Sequence, residues 1–212
     1  MLKLYKIERN FLDKDQCYKM ARRLEELLQK EIYRAPDFQC TLSPAFYGIF
    51  NDEMAASLKK LEEITELELH PVYTYARIYQ ENDFLLPHID RPGAEVSLTI
   101  TLDYDQYIWP IWIDDPSGNP VAVTLDIGDA LIYEGTKLVH YRHKMIGQDF
   151  QHQTFFHFVR KNGEYSHLKY DQHDHLLSNT ESETWNFPDW SDSNFKAGRY
   201  KSINNKPIKD TE

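Results

Sequence analysis

Apolar and polar positions change rhythm once along this chain, near residue 70. Before that point the spacing is helical. In FLDKDQCYKMARRLEELLQKEI, Cys17, Met20, Ala21, Leu24, Leu27 and Leu28 recur three and four residues apart, which puts them on one face of an amphipathic helix. Asp13, with Gln16 three residues on, has the form of a capping box at its start. A second helix is expected from about Asp52 to Glu66, with Asn51 as its cap and Met54, Leu58, Leu61 and Ile64 along one side. From residue 71 the period falls to two. PVYTYARIYQ, AEVSLTITLDYD, QYIWPIWI, VAVTLDI, DALIYEG, KLVHYRHKM and HQTFFHFVR are rich in β-branched and aromatic residues, and turn signals such as DDPSGNP lie between them. Strands in this number, with no helical crossovers, predict a mainly β domain, an antiparallel sandwich or barrel over about 71–160, with the helices of about 13–66 packed outside it.

After about Asn162 the periodicity ends. SNTESETWNFPDWSDSN has no apolar face, so 1–162 reads as one domain and 163–212 as a polar tail, either disordered or partly docked through Trp185, Phe187 and Trp190. At 212 residues and 41% hydrophobic content the chain can bury one substantial core. No stretch approaches the roughly 20 apolar residues of a membrane span, and MLKLYKIERN lacks the apolar run of a secretory signal. Cys17 and Cys40 are too few for a disulfide framework or a cysteine zinc site, so a reducing, cytoplasmic setting is expected. A formal charge of −10 argues against broad nucleic-acid binding, because phosphates would be repelled overall.

The chemistry-bearing stretch is LLPHIDRPG, where His88 and Asp90 stand two positions apart between a strand-like run and a Pro-Gly break. In an extended segment such a pair projects to one side, so an imidazole and a carboxylate can share a metal ion. A third ligand must come from another strand, and GDALIYEGTKLVHYRHKM offers His140. Two imidazoles and one carboxylate on one face of a metal leave its other positions open, which suits a non-haem Fe(II) centre. Taken alone, an H-x-D pair is more often a hydrogen-bonded histidine beside a solvated aspartate. Its place in a β-rich chain, with a second histidine on a later strand, favours the metal.

In YARIYQENDFLLPHID, EVSLTITLDYD, GDALIYEGTKLVH and QTFFHFV the chain resembles the Fe(II)/2-oxoglutarate-dependent oxygenases, particularly their prolyl-hydroxylase-like branch, over about residues 71–160. The resemblance implies a double-stranded β-helix, a jelly-roll or cupin-like barrel, with His88, Asp90 and His140 as iron ligands. It also implies 2-oxoglutarate and dioxygen as cosubstrates, and a tyrosine nine residues before the first ligand, here Tyr79, beside the cosubstrate. The implied reaction is hydroxylation of a C–H bond of an amino-acid, peptidyl or small-metabolite substrate, with release of succinate and carbon dioxide.

One position departs from the family. An arginine or lysine commonly stands about ten residues beyond the distal histidine and pairs with the outer carboxylate of 2-oxoglutarate; here that residue is Phe150. A buried dicarboxylate still needs a cation. Arg142 shares a strand face with His140, and Arg77 shares one with Tyr79; Lys144 and His152 are further candidates. A solvent-facing strand residue is the simpler reading of Arg142.

His143 should face away from His140 on a regular strand, and His157 reads as a satisfied core histidine. His173 and His175 in DQHDH read as solvated tail residues, and Trp109 and Trp112 as core or rim packing. Arg91 is placed either to meet an anionic substrate group or to pair with a nearby carboxylate. Two other classes of function stay open: a cupin-like module that binds a metal or small ligand without turnover, and a protein-interaction domain with an acidic surface.

Overall fold

The computed structural model describes residues 2–33 and 43–169; Cys40, His173, His175, Trp185, Phe187 and Trp190 lie outside them. The order of elements is β1 (Tyr5–Glu8), α1 (Lys14–Gln29), β2 (Ala45–Tyr47), α2 (Asn51–Thr65), β3 (Leu69–Gln80), β4 (Leu85–His88), β5 (Val96–Tyr104), β6 (Ile111–Asp114), β7 (Pro120–Val123), β8 (Ala130–Glu134), β9 (His140–Arg142) and β10 (Phe150–Arg160). Short 3-10 turns follow β4 and β10. Among the described residues no helix is long and apolar enough to cross a membrane.

Strands among the described residues pair antiparallel, in a six-stranded sheet ordered β1-β8-β5-β10-β3-β2 and a four-stranded sheet ordered β4-β9-β6-β7. Side chains from the two sheets meet between them. Ile111, Ile113 and Val123 of the smaller sheet pack with Leu131 and Tyr133 of the larger, and Leu85 packs with Tyr79 and Phe155. This is the expected double-stranded β-helix, a jelly roll of two facing sheets.

The helices cover the outer face of the larger sheet. Asp13 accepts the backbone N–H groups of Asp15 and Gln16 at 2.9 and 3.3 Å and so starts α1, as its sequence predicts. Cys17, Met20, Ala21 and Leu24 of α1 and Met54 and Leu61 of α2 then join Leu98, Ile100, Leu102, Phe156 and Phe158 in the largest apolar cluster. With helices outside and the smaller sheet inside, most of β5 and β10 is buried on both faces.

Three expectations need correction. Asn51 is not the cap of α2 but its first residue; Phe50 precedes the helix without a side-chain cap, and the Asn51 carboxamide oxygen instead accepts the Thr74 hydroxyl at 3.0 Å. The sheet also extends beyond 71–160 to include β1 and β2. These pieces are too short for alternation to mark them, and they are held by pairing onto β8 and β3. Finally, KLVHYRHKM holds only a three-residue strand, with His143 beyond its end.

Candidate metal centre

His88 closes β4 and His140 opens β9, and the antiparallel register sets them directly opposite each other with ring centroids 4.2 Å apart. Asp90 lies just past β4, where its backbone N–H donates to the Gly135 carbonyl at 2.8 Å. Ligand atoms of these three residues all lie within 4.8 Å of one another. Asp90 Oδ1 is 3.7 Å from His88 Nε2 and 3.5 Å from His140 Nε2.

The tautomers follow from the hydrogen bonds. His88 Nδ1 stands 2.7 Å from the Leu86 carbonyl, and His140 Nδ1 stands 3.0 Å from the Leu138 carbonyl. A carbonyl only accepts, so each Nδ1 carries a proton and each Nε2 is the ring nitrogen turned toward Asp90, where a neutral ring presents a lone pair. Burial pushes His140 down to about 4, outweighing the Leu138 carbonyl, so its ring is neutral at pH 7. Burial also raises the Asp90 carboxyl above its ordinary value, against the opposing pull of His88, Ser97 and Tyr133. Two imidazoles and a carboxylate aimed at one point fit a divalent cation, whose charge would offset the desolvation of Asp90.

Beneath this cluster the inner face of the larger sheet carries polar side chains in rows. Strand registers align Tyr133, Ser97, His157 and Tyr73 across β8, β5, β10 and β3. Thr99, Phe155 and Tyr75 form the next row, then Thr101, Gln153 and Arg77, with Gln151 beside Tyr79 at the far end. Ser97 donates to Asp90 Oδ2 at 2.8 Å and lies 2.9 Å from His157 Nδ1, so His157 is a hydrogen-bonded core histidine close to the centre. Its pKa is held well below the ordinary histidine range by burial and by Arg91. Arg91 lies with its guanidinium 4.8 Å from the Tyr73 ring and its Nε 3.5 Å from the Tyr73 hydroxyl.

At the far end stands Arg142, two residues beyond His140. It is buried, not solvent-facing: its guanidinium sits 5.7 Å from the Tyr79 ring centroid and 4.8 Å from that of Trp109, and NH1 donates to the Trp109 carbonyl. Trp109 is fixed in turn, its backbone N–H on Gln151 Oε1 at 3.0 Å and its indole N–H on the His143 carbonyl at 3.0 Å. Arg77 is also buried but reaches the sheet edge, where NH1 donates to the Ser43 carbonyl and hydroxyl at 3.2 and 3.0 Å.

The remaining candidates lie elsewhere. Phe150 packs on the outer face against the helix-covered core, and His152 beside it meets Glu25 of α1, Nε2 to Oε1 at 2.6 Å. Lys144 and His143 are exposed, and the His143 ring meets Trp112 and Tyr141 edge-on. Ser97, Tyr133, Gln151 and Gln153 carried no sequence signal beyond being the polar half of an alternating strand.

Fold and cluster together define a double-stranded β-helix with a His-Asp-His centre. No family model matches the chain, and no curated protein matches it in sequence. Solved structures are similar. A prolyl-4-hydroxylase of Pseudomonas putida aligns with a TM-score of 0.60 at 13% identity, over 75% of this chain and 93% of its own. HygX of Streptomyces hygroscopicus, with nickel and 2-oxoglutarate bound, gives 0.59 at 10%, over 74% and 83%. SnoK, a non-haem α-ketoglutarate-dependent carbocyclase from nogalamycin biosynthesis, gives 0.61 at 11%, over 74% and 79%. The chain therefore shares the fold of the iron and 2-oxoglutarate oxygenases.

Proposed function

We propose that this protein is an Fe(II)- and 2-oxoglutarate-dependent dioxygenase that hydroxylates a C–H bond. The observation that carries the reading is the meeting of His88, Asp90 and His140 with three lone-pair atoms facing one another on this fold. These residues would hold the metal. Bound iron with 2-oxoglutarate and dioxygen supplies the oxidising power; the chain supplies geometry and polarity.

Arg142 is the proposed partner of the outer carboxylate. Two positions along a strand span about 7 Å, so Arg142 on the side of β9 shared with His140 suits the far carboxylate of a short dicarboxylate held at the metal. Tyr79 lies beside it, and burial makes a charge-assisted pair there stronger than in water. Arg77, engaged at Ser43, is the weaker choice. The best support for a binding module without turnover is Phe150 standing where the family has its cation, and the buried arginine on β9 supports the oxygenase reading against it. An amino-acid, peptidyl or small-metabolite substrate in a cytoplasmic setting is our reading.

Anaerobic protein given Fe(II) and 2-oxoglutarate should develop a visible metal-to-ligand absorption band, and admission of air with a competent substrate should release succinate. Metal uptake without the band would favour the binding module. No metal uptake would leave the interaction domain.

A further inference from the structure

The row beneath the centre does more than fill space. We infer that Ser97, backed by His157 and Tyr133, is a positioning residue that holds Asp90 Oδ2 so that the aspartate offers a metal only its Oδ1 atom. The inference rests on the metal reading above.

Ser97 Oγ lies 2.8 Å from Asp90 Oδ2, 2.9 Å from His157 Nδ1 and 3.0 Å from the Ala94 carbonyl, with the Tyr133 hydroxyl, itself a donor, also beside it. The hydroxyl has one proton to give. A carboxylate is the strongest acceptor of the three, so the proton goes to Asp90. His157 must then be the donor to Ser97, with its proton on Nδ1. Donation therefore runs in one direction, from His157 to Ser97 to Asp90. The Tyr133 hydroxyl lies against the same carboxylate and against Ser97, and reaches within 3.4 Å of His140 Nε2. All four side chains are at least largely buried, so water does not compete for these bonds.

The backbone closes the other side. A β-carbon at Gly135 would lie 2.7 Å from Asp90 Oδ2, 2.8 Å from Ser97 Oγ and 2.0 Å from the Ala94 carbonyl oxygen. Only a glycine lets the turn after β8 press against this pair while its carbonyl takes the Asp90 N–H. One oxygen is thus enclosed by donors and backbone, and the other faces the two imidazoles. A carboxylate left to rotate could bind through both oxygens and occupy a position that a cosubstrate needs.

The test uses Co(II) as the probe on the full-length protein, with affinity and the visible d–d spectrum as readouts. Ser97→Ala should weaken binding about 10- to 100-fold, in the range for loss of a ligand's supporting hydrogen bond, and should change the band positions or intensities. Ser97→Thr, which keeps the hydroxyl, should restore both. An alanine variant with wild-type affinity and spectrum overturns the inference. A second measurement does not depend on the variant folding: nitrogen-15 NMR of the metal-free wild type should find His157 protonated on Nδ1. Protonation on Nε2 would mean that Ser97 donates to His157 and leaves Asp90, which also overturns it. Wild-type protein that takes up no Co(II) sinks the metal reading itself, whatever the tautomer.

Discussion

The two faces of the larger sheet are built from the same strands and do opposite things. On β5 the outward residues Leu98, Ile100 and Leu102 lie in the helix-covered cluster, while the inward residues Ser97, Thr99 and Thr101 join a hydrogen-bonded interior. On β10 the same split separates Phe156 and Phe158 from Gln151, Gln153 and His157. The usual rule for a half-exposed sheet, apolar in and polar out, is inverted here because α1 and α2 supply the apolar cover from outside. Two buried histidines illustrate the split. His157 faces in and touches the serine beside the candidate metal centre, whereas His152, five residues earlier, faces out and ties the sheet to Glu25 of α1. Inner-face changes should therefore alter binding at little cost to folding, and outer-face changes should do the reverse.

The largest expected effect separates His140, which opens β9, from His143 just beyond its end. His140→Ala should lose tight Fe(II) binding while keeping the fold, and exposed His143→Ala should bind iron like the wild type; equal losses, read by metal analysis of both purified variants, would erase the distinction. Next is the far end of the interior. Arg142→Ala should keep its iron and lose roughly 2–5 kcal/mol of 2-oxoglutarate affinity, about 30-fold to several thousandfold. Arg142→Lys should recover only part of this, because a point charge does not reproduce the planar fork. If Arg77→Ala shows the larger rise in dissociation constant, the anchor is on β3.

An outer-face polar group on the smaller sheet gives the third test. Asp114 follows inward-facing Ile113, is 6% exposed, and has no hydrogen-bond partner on either carboxylate oxygen among the described residues. Burial, and secondarily Asp115, pushes its carboxyl up to about 6. An unfolded aspartate releases its proton near pH 3.9, so the folded state holds the extra proton between about pH 4 and pH 6. Stability is thus unaffected by this group below pH 4, declines through that window, and is lowest from this cause above pH 6. Asp114→Asn should raise stability at pH 7 by on the order of 2 kcal/mol and change it little at pH 4. Urea melts at both pH values decide this; a gain of the same size at pH 4 would assign it to something other than charge burial. The smallest effect is on the outer helix, where Asp13→Ala should cost about 1 kcal/mol of stability through the lost cap and leave metal affinity unchanged.

The elements that pattern alone could announce are those with enough residues to show a period. The sixteen residues of α1 declare both their apolar face and their cap, and the long alternations of β3, β5 and β10 declare themselves strands. The clustering of His88, Asp90 and His140 as a candidate ligand set was legible because two of them stand two positions apart in an extended segment and the third lies on a strand of like character. The four residues of β1 and three of β2 were not legible, since such short pieces are strands only by virtue of the edge they join. Nor can period two say which half of an alternation faces the interior. Ser97 and Thr99 look like a solvent face until two helices are packed over Leu98 and Ile100. The same holds for Arg142. Its strand parity with His140 is written in the chain, but whether that shared side is water or the inside of a barrel depends on β4 and β6 closing on either side of β9, and only the tertiary structure decides it.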